Sequence, residues 1–155
     1  MSNQVAPQSV LRSGGCLCGS VRFEARGEPL RTLVCHCRFC QRVTGSSSFA
    51  ESMYPMDAVS LSGITPSSYA HRSEGSSQLV HVHFCPRCGS TVSLTFERWP
   101  QVRGLSRGAF DDPNSVSIGS HIWSGAGCAP SFKSCIGPNL SINIGCSCNI
   151  CICFF

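Results

Sequence analysis

The fold class follows from residues 79–96, LVHVHFCPRCGSTVSLTF. On both sides of the central CPRC, apolar and polar residues alternate, as they do in half-buried β-strands. Gly89, directly after CPRC, can take the positive φ that a tight turn requires. We therefore predict a β-hairpin whose strands are Leu79–Phe84 and Thr91–Phe96, with a metal-binding knuckle as its turn.

The first strand of this hairpin carries two histidines. Its apolar residues should face one side of the sheet, whereas His81 and His83 face the other side together with Cys85. This pattern predicts that both histidines lie on the side of the metal. We nevertheless expect them to be half-exposed strand residues rather than ligands, because that role is commoner on a strand.

The rest of the chain favours an all-β domain of mainly antiparallel short strands. Glycine and serine recur between short apolar segments, and no segment shows sustained helical periodicity, so we expect at most short helical turns. One such turn is predicted at Gln41–Thr44. Further strands are predicted at Val21–Glu24, Phe49–Met53, Val59–Leu61, Tyr69–Arg72 and Val116–Ile118.

Seven cysteines fall into three short clusters: Cys16-Leu-Cys18, Cys35-His-Cys37-Arg-Phe-Cys40 and Cys85-Pro-Arg-Cys88. Structural zinc usually takes four Cys or His ligands, whereas catalytic zinc keeps three protein ligands and an open position. Two cysteine pairs therefore make one closed zinc site, and the triple makes one open site. On an extended strand the side chains of Cys16 and Cys18 point to the same face, so their sulfurs should converge without a turn. The triple should hold its metal on a single short loop.

Two other interpretations of the cysteines stay open. Cytosolic cysteines can be small buried hydrophobes without a metal. Alternatively, all seven are structural, and a histidine fills the open position of the triple. The histidines available for that role are His36, His71, His81, His83 and His121.

Length and composition restrict the function classes. A chain of 155 residues suits one compact domain. The net charge of +4 is dispersed, and no finger-type spacing is visible, so nucleic-acid binding is disfavoured. The first fifteen residues contain no apolar run of signal-peptide length, which predicts a cytoplasmic or nuclear protein. In that compartment thirteen cysteines indicate metal or redox chemistry rather than disulfides.

Four segments of the chain resemble a known family. They are GGCLCGSVRF at 14–23, CHCRFCQRVTG at 35–45, FCPRCGS at 84–90 and GAFDDP at 108–113. With these motifs the chain resembles the glutathione-dependent formaldehyde-activating enzyme family, which includes centromere protein V. The resemblance covers Gly14 to Trp123. Beyond Trp123 the chain becomes rich in cysteine where relatives carry a charged, proline-containing segment.

The resemblance implies a β-tent zinc-binding fold with two zinc ions per chain. It implies a structural zinc held by Cys16, Cys18, Cys85 and Cys88, and a catalytic zinc held by Cys35, Cys37 and Cys40. The implied domains are a flexible N-terminus at 1–13, the β-tent at 14–123 and an atypical Cys-rich tail at 124–155. The last twenty residues are uncharged but interrupted by proline and asparagine, so we expect no membrane span.

The resemblance also implies carbon–sulfur lyase activity. The named reaction is the reversible addition of glutathione to formaldehyde, giving S-hydroxymethylglutathione, so the expected partners are glutathione or another small thiol and a small aldehyde. Gln41, Arg42 and Thr44 lie next to the triple and are candidates for substrate binding, or else capping and surface residues. His36 should point away from the metal. The alternative function is a non-catalytic zinc-binding interaction module.

Overall fold

The computed structural model describes residues 10–125, which form ten β-strands and one α-helix. The helix, α1, spans Arg38–Thr44. The strands are β1 Leu11–Gly15, β2 Val21–Arg26, β3 Arg31–Cys35, β4 Phe49–Pro55, β5 Val59–Gly63, β6 Ser67–Arg72, β7 Leu79–Phe84, β8 Thr91–Phe96, β9 Val102–Ser106 and β10 Ser120–Ile122. Within this range no helix is long and apolar enough to cross a membrane.

The strands form two sheets. The small sheet has the order β1-β2-β5, and the large sheet has the order β10-β3-β4-β9-β8-β7-β6. All pairs are antiparallel except β10 with β3, which are parallel. The predicted all-β fold of mainly antiparallel short strands is therefore confirmed, and its one helix has seven residues.

The two faces of the large sheet bury different cores. One face packs against the small sheet: Tyr54 and Leu105 contact Phe23 and Ala25 of β2. We call it the small-sheet face. The opposite face carries α1 and buries Leu33, Cys35, Phe49, Val82 and Leu94 together with Cys40 of the helix; we call it the helix face. Fully burying one such side chain contributes about 1.5–3 kcal/mol, so both cores stabilise the sheet.

The predicted hairpin is confirmed at β7 and β8 with the predicted bounds. Four of the other predicted strands fall within β2, β4, β5 and β6, and the predicted helical turn falls within α1. The strand predicted at Val116–Ile118 is wrong. Val116 follows a short 3-10 turn and is only 2% exposed, because its side chain fills the core between the sheets, and the strand β10 begins four residues later.

The domain boundary that we predicted at Gly14 falls within strand β1. Strand β1 starts at Leu11 because its backbone pairs with β2 from Leu11 opposite Arg26 onward. The predicted Cys-rich tail beyond 125 and the first nine residues lie outside the described residues.

Candidate metal centres

Four sulfurs converge where the turn after β1 meets the turn between β7 and β8. The sulfurs of Cys16 and Cys18 are 3.5 Å apart, and those of Cys18 and Cys85 are 3.7 Å apart. With Cys88, all four lie within 4.8 Å of one another and could hold one metal ion. This four-cysteine cluster joins residues that are 67 positions apart in the chain.

The cluster's first pair is brought together by a turn, and the prediction of an extended strand is wrong. Strand β1 ends at Gly15, and the Gly19 N–H donates to the Cys16 carbonyl at 3.0 Å, which closes a turn around Cys18. Gly19 has φ 73°, which favours glycine. The Val21 N–H also donates to the Cys16 sulfur at 3.3 Å. Because these bonds stabilise the turn, the sulfurs of Cys16 and Cys18 both point toward the cluster without a strand.

The second pair lies in the predicted knuckle. The Gly89 N–H donates to the Cys85 carbonyl at 2.9 Å, and Gly89 has φ 75°, so the predicted positive φ is confirmed. The Ser90 hydroxyl accepts a bond of 3.1 Å from the Leu17 N–H of the opposite turn. This bond ties the two turns together and so holds the two cysteine pairs face to face.

The thiols of Cys18, Cys85 and Cys88 differ in pKa. Cys85 is fully buried, and burial raises the pKa of its thiol to about 11. The Ser90 hydroxyl lowers the pKa of Cys88 to about 5, and Ser20 lowers the pKa of Cys18. A metal ion replaces the thiol protons of its cysteine ligands, so a four-sulfur set suits a closed structural zinc site.

The second cluster lies on the helix face, at the junction of β3 and α1. Cys35 is the last residue of β3, Cys37 caps the N-terminus of α1, and Cys40 lies in the first turn of that helix. Their three sulfurs lie within 4.8 Å of one another. The Cys37 sulfur accepts a bond of 3.4 Å from the Cys40 N–H. The single short loop that we predicted is therefore a strand end followed by a capped helical turn.

The three-cysteine cluster favours one thiolate even without a metal. Hydrogen bonds from Cys35 and Cys40 lower the pKa of Cys37 to about 3. Hydrogen bonds with Cys35 and with Cys37, together with burial, raise the pKa of Cys40, and the bond with Cys37 raises that of Cys35. Three soft sulfurs that converge in this way are suitable zinc ligands.

No further ligand joins this cluster from residues 10–125. All five histidines of the chain fall in this range, yet neither a histidine nor a carboxylate lies within ligand range of all three sulfurs. A histidine as the fourth ligand, one of our alternatives, is therefore not supported by the described residues. Three protein ligands and an open position are typical of a catalytic zinc site.

His36 lies between two of these cysteines, but it is outside the cluster. It is fully buried, and its Nε2 lies 3.0 Å from Nδ1 of His121 on β10. The backbone N–H of His36 donates to the Ile122 carbonyl at 3.0 Å. Burial lowers the pKa of both imidazoles. His36 thus links β10 to the end of β3, next in sequence to the cysteines of the cluster.

Two of the three predicted substrate-binding residues make hydrogen bonds within the segment that carries the three cysteines. The Gln41 amide donates to the His36 carbonyl at 2.8 Å and accepts from Arg38 at 2.7 Å. The Thr44 hydroxyl lies 2.8 Å from the Cys40 carbonyl, which it caps. Arg42 is exposed. The three residues share α1 with Cys40.

The histidines of β7 lie away from the cysteines. His81 is opposite Thr95 and His83 is opposite Ser93, which places them on the small-sheet face. The prediction that they lie on the metal side refers to the side of Cys85, and it stays a prediction. The register shifts between His83 and Phe84, which interrupts the alternation before Cys85. Neither histidine joins a cysteine cluster, as expected for strand residues.

Glu51 was not predicted from the sequence. This residue of β4 lies on the helix face and is 6% exposed, and its Oε2 has no hydrogen-bond partner among residues 10–125. Burial raises its pKa to about 8, and the negative charge of Cys37 contributes to the rise. A Cβ on Gly104 would lie 2.6 Å from Oε2, so the carboxyl occupies space that the glycine leaves free. The sequence feature that could have identified Glu51 is its place midway between Phe49 and Met53 on a predicted strand. Alternation predicts burial at this position, where an acidic residue is unusual.

Comparison with known proteins agrees with the resemblance found in the motifs. The family model of the glutathione-dependent formaldehyde-activating enzyme matches residues 11–126. A Halomonas elongata protein provisionally named as such an enzyme is 29% identical over 96 residues, which are 60% of this chain and 61% of that protein. The chain thus matches less than two thirds of that relative's length.

A solved structure extends the comparison to the fold. The crystal structure of a Rhodobacter sphaeroides protein aligns with a TM-score of 0.52 and 19% identity, over 66% of this chain and 93% of that one. At this identity the likeness concerns the fold alone. The match of the family model over most of the described residues is the decisive finding, and the chain belongs to the glutathione-dependent formaldehyde-activating enzyme family.

Proposed function

We propose that the protein is a zinc-dependent carbon–sulfur lyase. It catalyses the reversible addition of glutathione, or another small thiol, to formaldehyde or another small aldehyde, and the product with formaldehyde is S-hydroxymethylglutathione. The observation that carries the proposal is the three-cysteine cluster, whose sulfurs converge without a histidine or carboxylate ligand from residues 10–125. Family membership supports the choice of thiol and aldehyde.

In this proposal the two clusters have different roles. Cys16, Cys18, Cys85 and Cys88 hold a structural zinc, and Cys35, Cys37 and Cys40 hold a catalytic zinc. When bound there, zinc lowers the pKa of a thiol at its open position and orients that thiol. Cys35 and Cys40 are 5% and 4% exposed, whereas Cys37 is half-buried, so a substrate approaches from the side of Cys37.

The addition balances without any further reactant. The sulfur of the thiolate forms a bond to the aldehyde carbon, and the π electron pair of the carbonyl moves to its oxygen. That oxygen takes up the proton that the thiol released, which gives the hydroxymethyl thioether, and the reverse sequence regenerates thiol and aldehyde. The reaction therefore needs proximity, orientation and a thiolate, which are effects that a site of this kind supplies.

The residues next to the cluster have distinct roles in substrate binding. Arg42 is exposed, and its planar guanidinium can pair with a carboxylate of glutathione through two hydrogen bonds. Gln41 and Thr44 make hydrogen bonds to backbone carbonyls of the same segment. We therefore assign them a role in shaping the binding surface beside Arg42.

A reducing compartment is part of the proposal. All seven described cysteines are free thiols, as the ligand roles require. Disulfides are rare in the cytoplasm, where thiols stay reduced, so we assign the protein to the cytoplasm, with the nucleus as the other reducing compartment.

The test is exchange NMR between glutathione plus formaldehyde and their adduct, with zinc-loaded protein and with Cys37→Ser. The serine preserves the N-cap of α1, because its hydroxyl can accept the bond from the Cys40 N–H, but it removes one zinc ligand. We expect acceleration above the spontaneous rate in the native protein, its loss in Cys37→Ser, and a fall in bound zinc from two ions to one.

Arg42→Gln is the matched variant for substrate binding. It should raise KM for glutathione with little change in kcat and no change in zinc content. If well-folded protein with two zinc ions gives no acceleration, the lyase proposal is wrong, and a non-catalytic interaction module becomes the better explanation.

A further inference from the structure

A groove on the small-sheet face is separate from both cysteine clusters. It has a volume of about 410 Å³ and is lined by Met56, His81, His83, Thr95, Phe96 and Arg103, with Leu79, Glu97 and Pro100 at its edge. We call it the Arg103 groove. His81, Thr95 and Arg103 lie directly opposite one another on β7, β8 and β9, so their side chains are neighbours on one face. The three-cysteine cluster lies on the helix face of the same sheet.

Arg103 is the charged group of this groove. It is half-buried, and burial lowers the pKa of its guanidinium. Its Nε donates to the Met56 sulfur at 3.4 Å and its Nη1 donates to the Ser93 hydroxyl at 3.2 Å. In residues 10–125 the ion pairs of arginine are Arg12 with Glu28 and Arg22 with Asp111, so Arg103 has no carboxylate partner there.

In this arrangement part of the hydrogen-bonding capacity of the Arg103 guanidinium is unused. A guanidinium has five N–H donors, and a thioether is a weak acceptor, so several donors of Arg103 are available to a ligand. Partial burial of a cation without a counter-ion costs free energy, which an anion in the groove would recover. The fork of a guanidinium matches a carboxylate, which can accept two parallel bonds.

The other titratable groups of the groove do not compete with an anion. The Nε2 of His83 is 2.9 Å from the Thr95 hydroxyl, so this imidazole has a partner within the sheet. The ring of His81 stacks on His83 with centroids 6.5 Å apart. Glu97 is the acidic residue of the lining, and its Oε2 is occupied by the Leu79 N–H at 2.8 Å.

We propose that the Arg103 groove binds a small organic carboxylate. Arg103 pairs with the carboxylate, Thr95 and His81 contribute hydrogen bonds, and Met56 contacts a short apolar part of the ligand. The volume suits such a molecule, since small-molecule sites usually measure about 300–1,000 Å³. The site is independent of the proposed lyase reaction because it lies on the opposite face of the sheet.

The test follows the imidazole Cε1–H signals of His81 and His83 by NMR while the full-length, zinc-loaded protein is titrated with propionate. We expect saturable shifts with a dissociation constant on the order of millimolar. Propionamide, which has the same shape without the charge, should cause no saturable shift. Equal shifts with propionate and propionamide, or no saturation, would overturn the proposal.

Variants locate the binding site. Arg103→Gln should weaken propionate binding at least about tenfold, since a charge-assisted bond contributes about 1.5–3 kcal/mol. Arg26→Gln removes the same charge from an exposed position of β2 and should bind like the native protein. Thr95→Val serves if Arg103→Gln does not fold, and it should weaken binding severalfold. Unchanged binding in Thr95→Val and Arg103→Gln would refute the assignment.

The same titration separates this proposal from the lyase proposal. Cys37→Ser should bind propionate with native affinity, because Cys37 is on the helix face. Loss of propionate binding in Cys37→Ser would place the carboxylate at the cysteine cluster and so contradict the Arg103 groove.

Discussion

Glu51→Gln should stabilise the folded protein increasingly as the pH rises. The Glu51 carboxyl ionises near pH 4.5 when exposed in the unfolded chain, whereas burial raises its pKa in the folded protein to about 8. Between these pH values the folded state binds one more proton than the unfolded state, so the free energy of unfolding falls as the pH rises. The stabilising contribution is complete below pH 4.5 and is lost as the pH passes about 8.

The magnitude follows from this linkage. One proton taken up on folding changes the free energy of unfolding by about 1.4 kcal/mol per pH unit, and because this slope declines as the pH approaches the folded pKa, the change is about 2 kcal/mol between roughly pH 6 and pH 8. This is a large share of the 5–15 kcal/mol that stabilises a typical domain. Glutamine has nearly the same shape and does not ionise, so it removes this pH dependence and retains the packing against Gly104.

The assay is urea unfolding of zinc-loaded protein, followed by tryptophan fluorescence at about pH 6 and pH 8. Zinc contributes to both proteins alike, so the difference between Glu51→Gln and the native protein isolates the carboxyl. That difference should grow by about 2 kcal/mol toward the higher pH. Glu24→Gln is the control, because Glu24 is exposed on β2 and its replacement should give a constant difference. A constant difference for Glu51→Gln too would show that the buried carboxyl is already ionised near pH 6.

Three further predictions concern packing, a turn and the structural zinc. Gly104→Ala should destabilise the fold by about 1–3 kcal/mol in urea unfolding, because the new Cβ would lie 2.6 Å from Oε2 of Glu51. Gly89→Ala should cost about 1 kcal/mol through its φ of 75°, whereas Gly108→Ala, which also faces open space but has no positive φ, should cost nothing; equal effects would contradict the role of φ. Cys88→Ser should reduce bound zinc from two ions to one in elemental analysis and lower Tm, while unchanged zinc would remove Cys88 from the ligands.

The hairpin of β7 and β8 was predictable because its signals are local. Period-two alternation over Leu79–Phe84 and Thr91–Phe96 is enough to predict two strands, and the CPRC turn with Gly89 between them predicts their antiparallel pairing. Strands β1, β3, β9 and β10 escaped prediction. The position of β10 depends on a partner distant in sequence, since Ser120–Ile122 pairs in parallel with β3.

The spacing of the cysteines predicted the two candidate metal sites, but it did not distinguish a strand from a turn. A spacing of two residues brings sulfurs together on a strand and in a turn alike, so Cys16 and Cys18 did not reveal the turn closed at Gly19. Glu51 could not be recognised as a buried, unpartnered carboxyl, since that property depends on the space beside Gly104 of another strand.

The amino-acid sequence by itself determined the all-β class, the hairpin and the family, because alternation, turn residues and cysteine motifs are properties of short segments. Only the tertiary structure decided on which face of the sheet the three-cysteine cluster lies, and that within residues 10–125 Glu51 and Arg103 are left with unused hydrogen-bonding groups. These properties depend on the register between strands that are far apart in the chain. That register is determined by burial of the two cores together, which no single segment specifies.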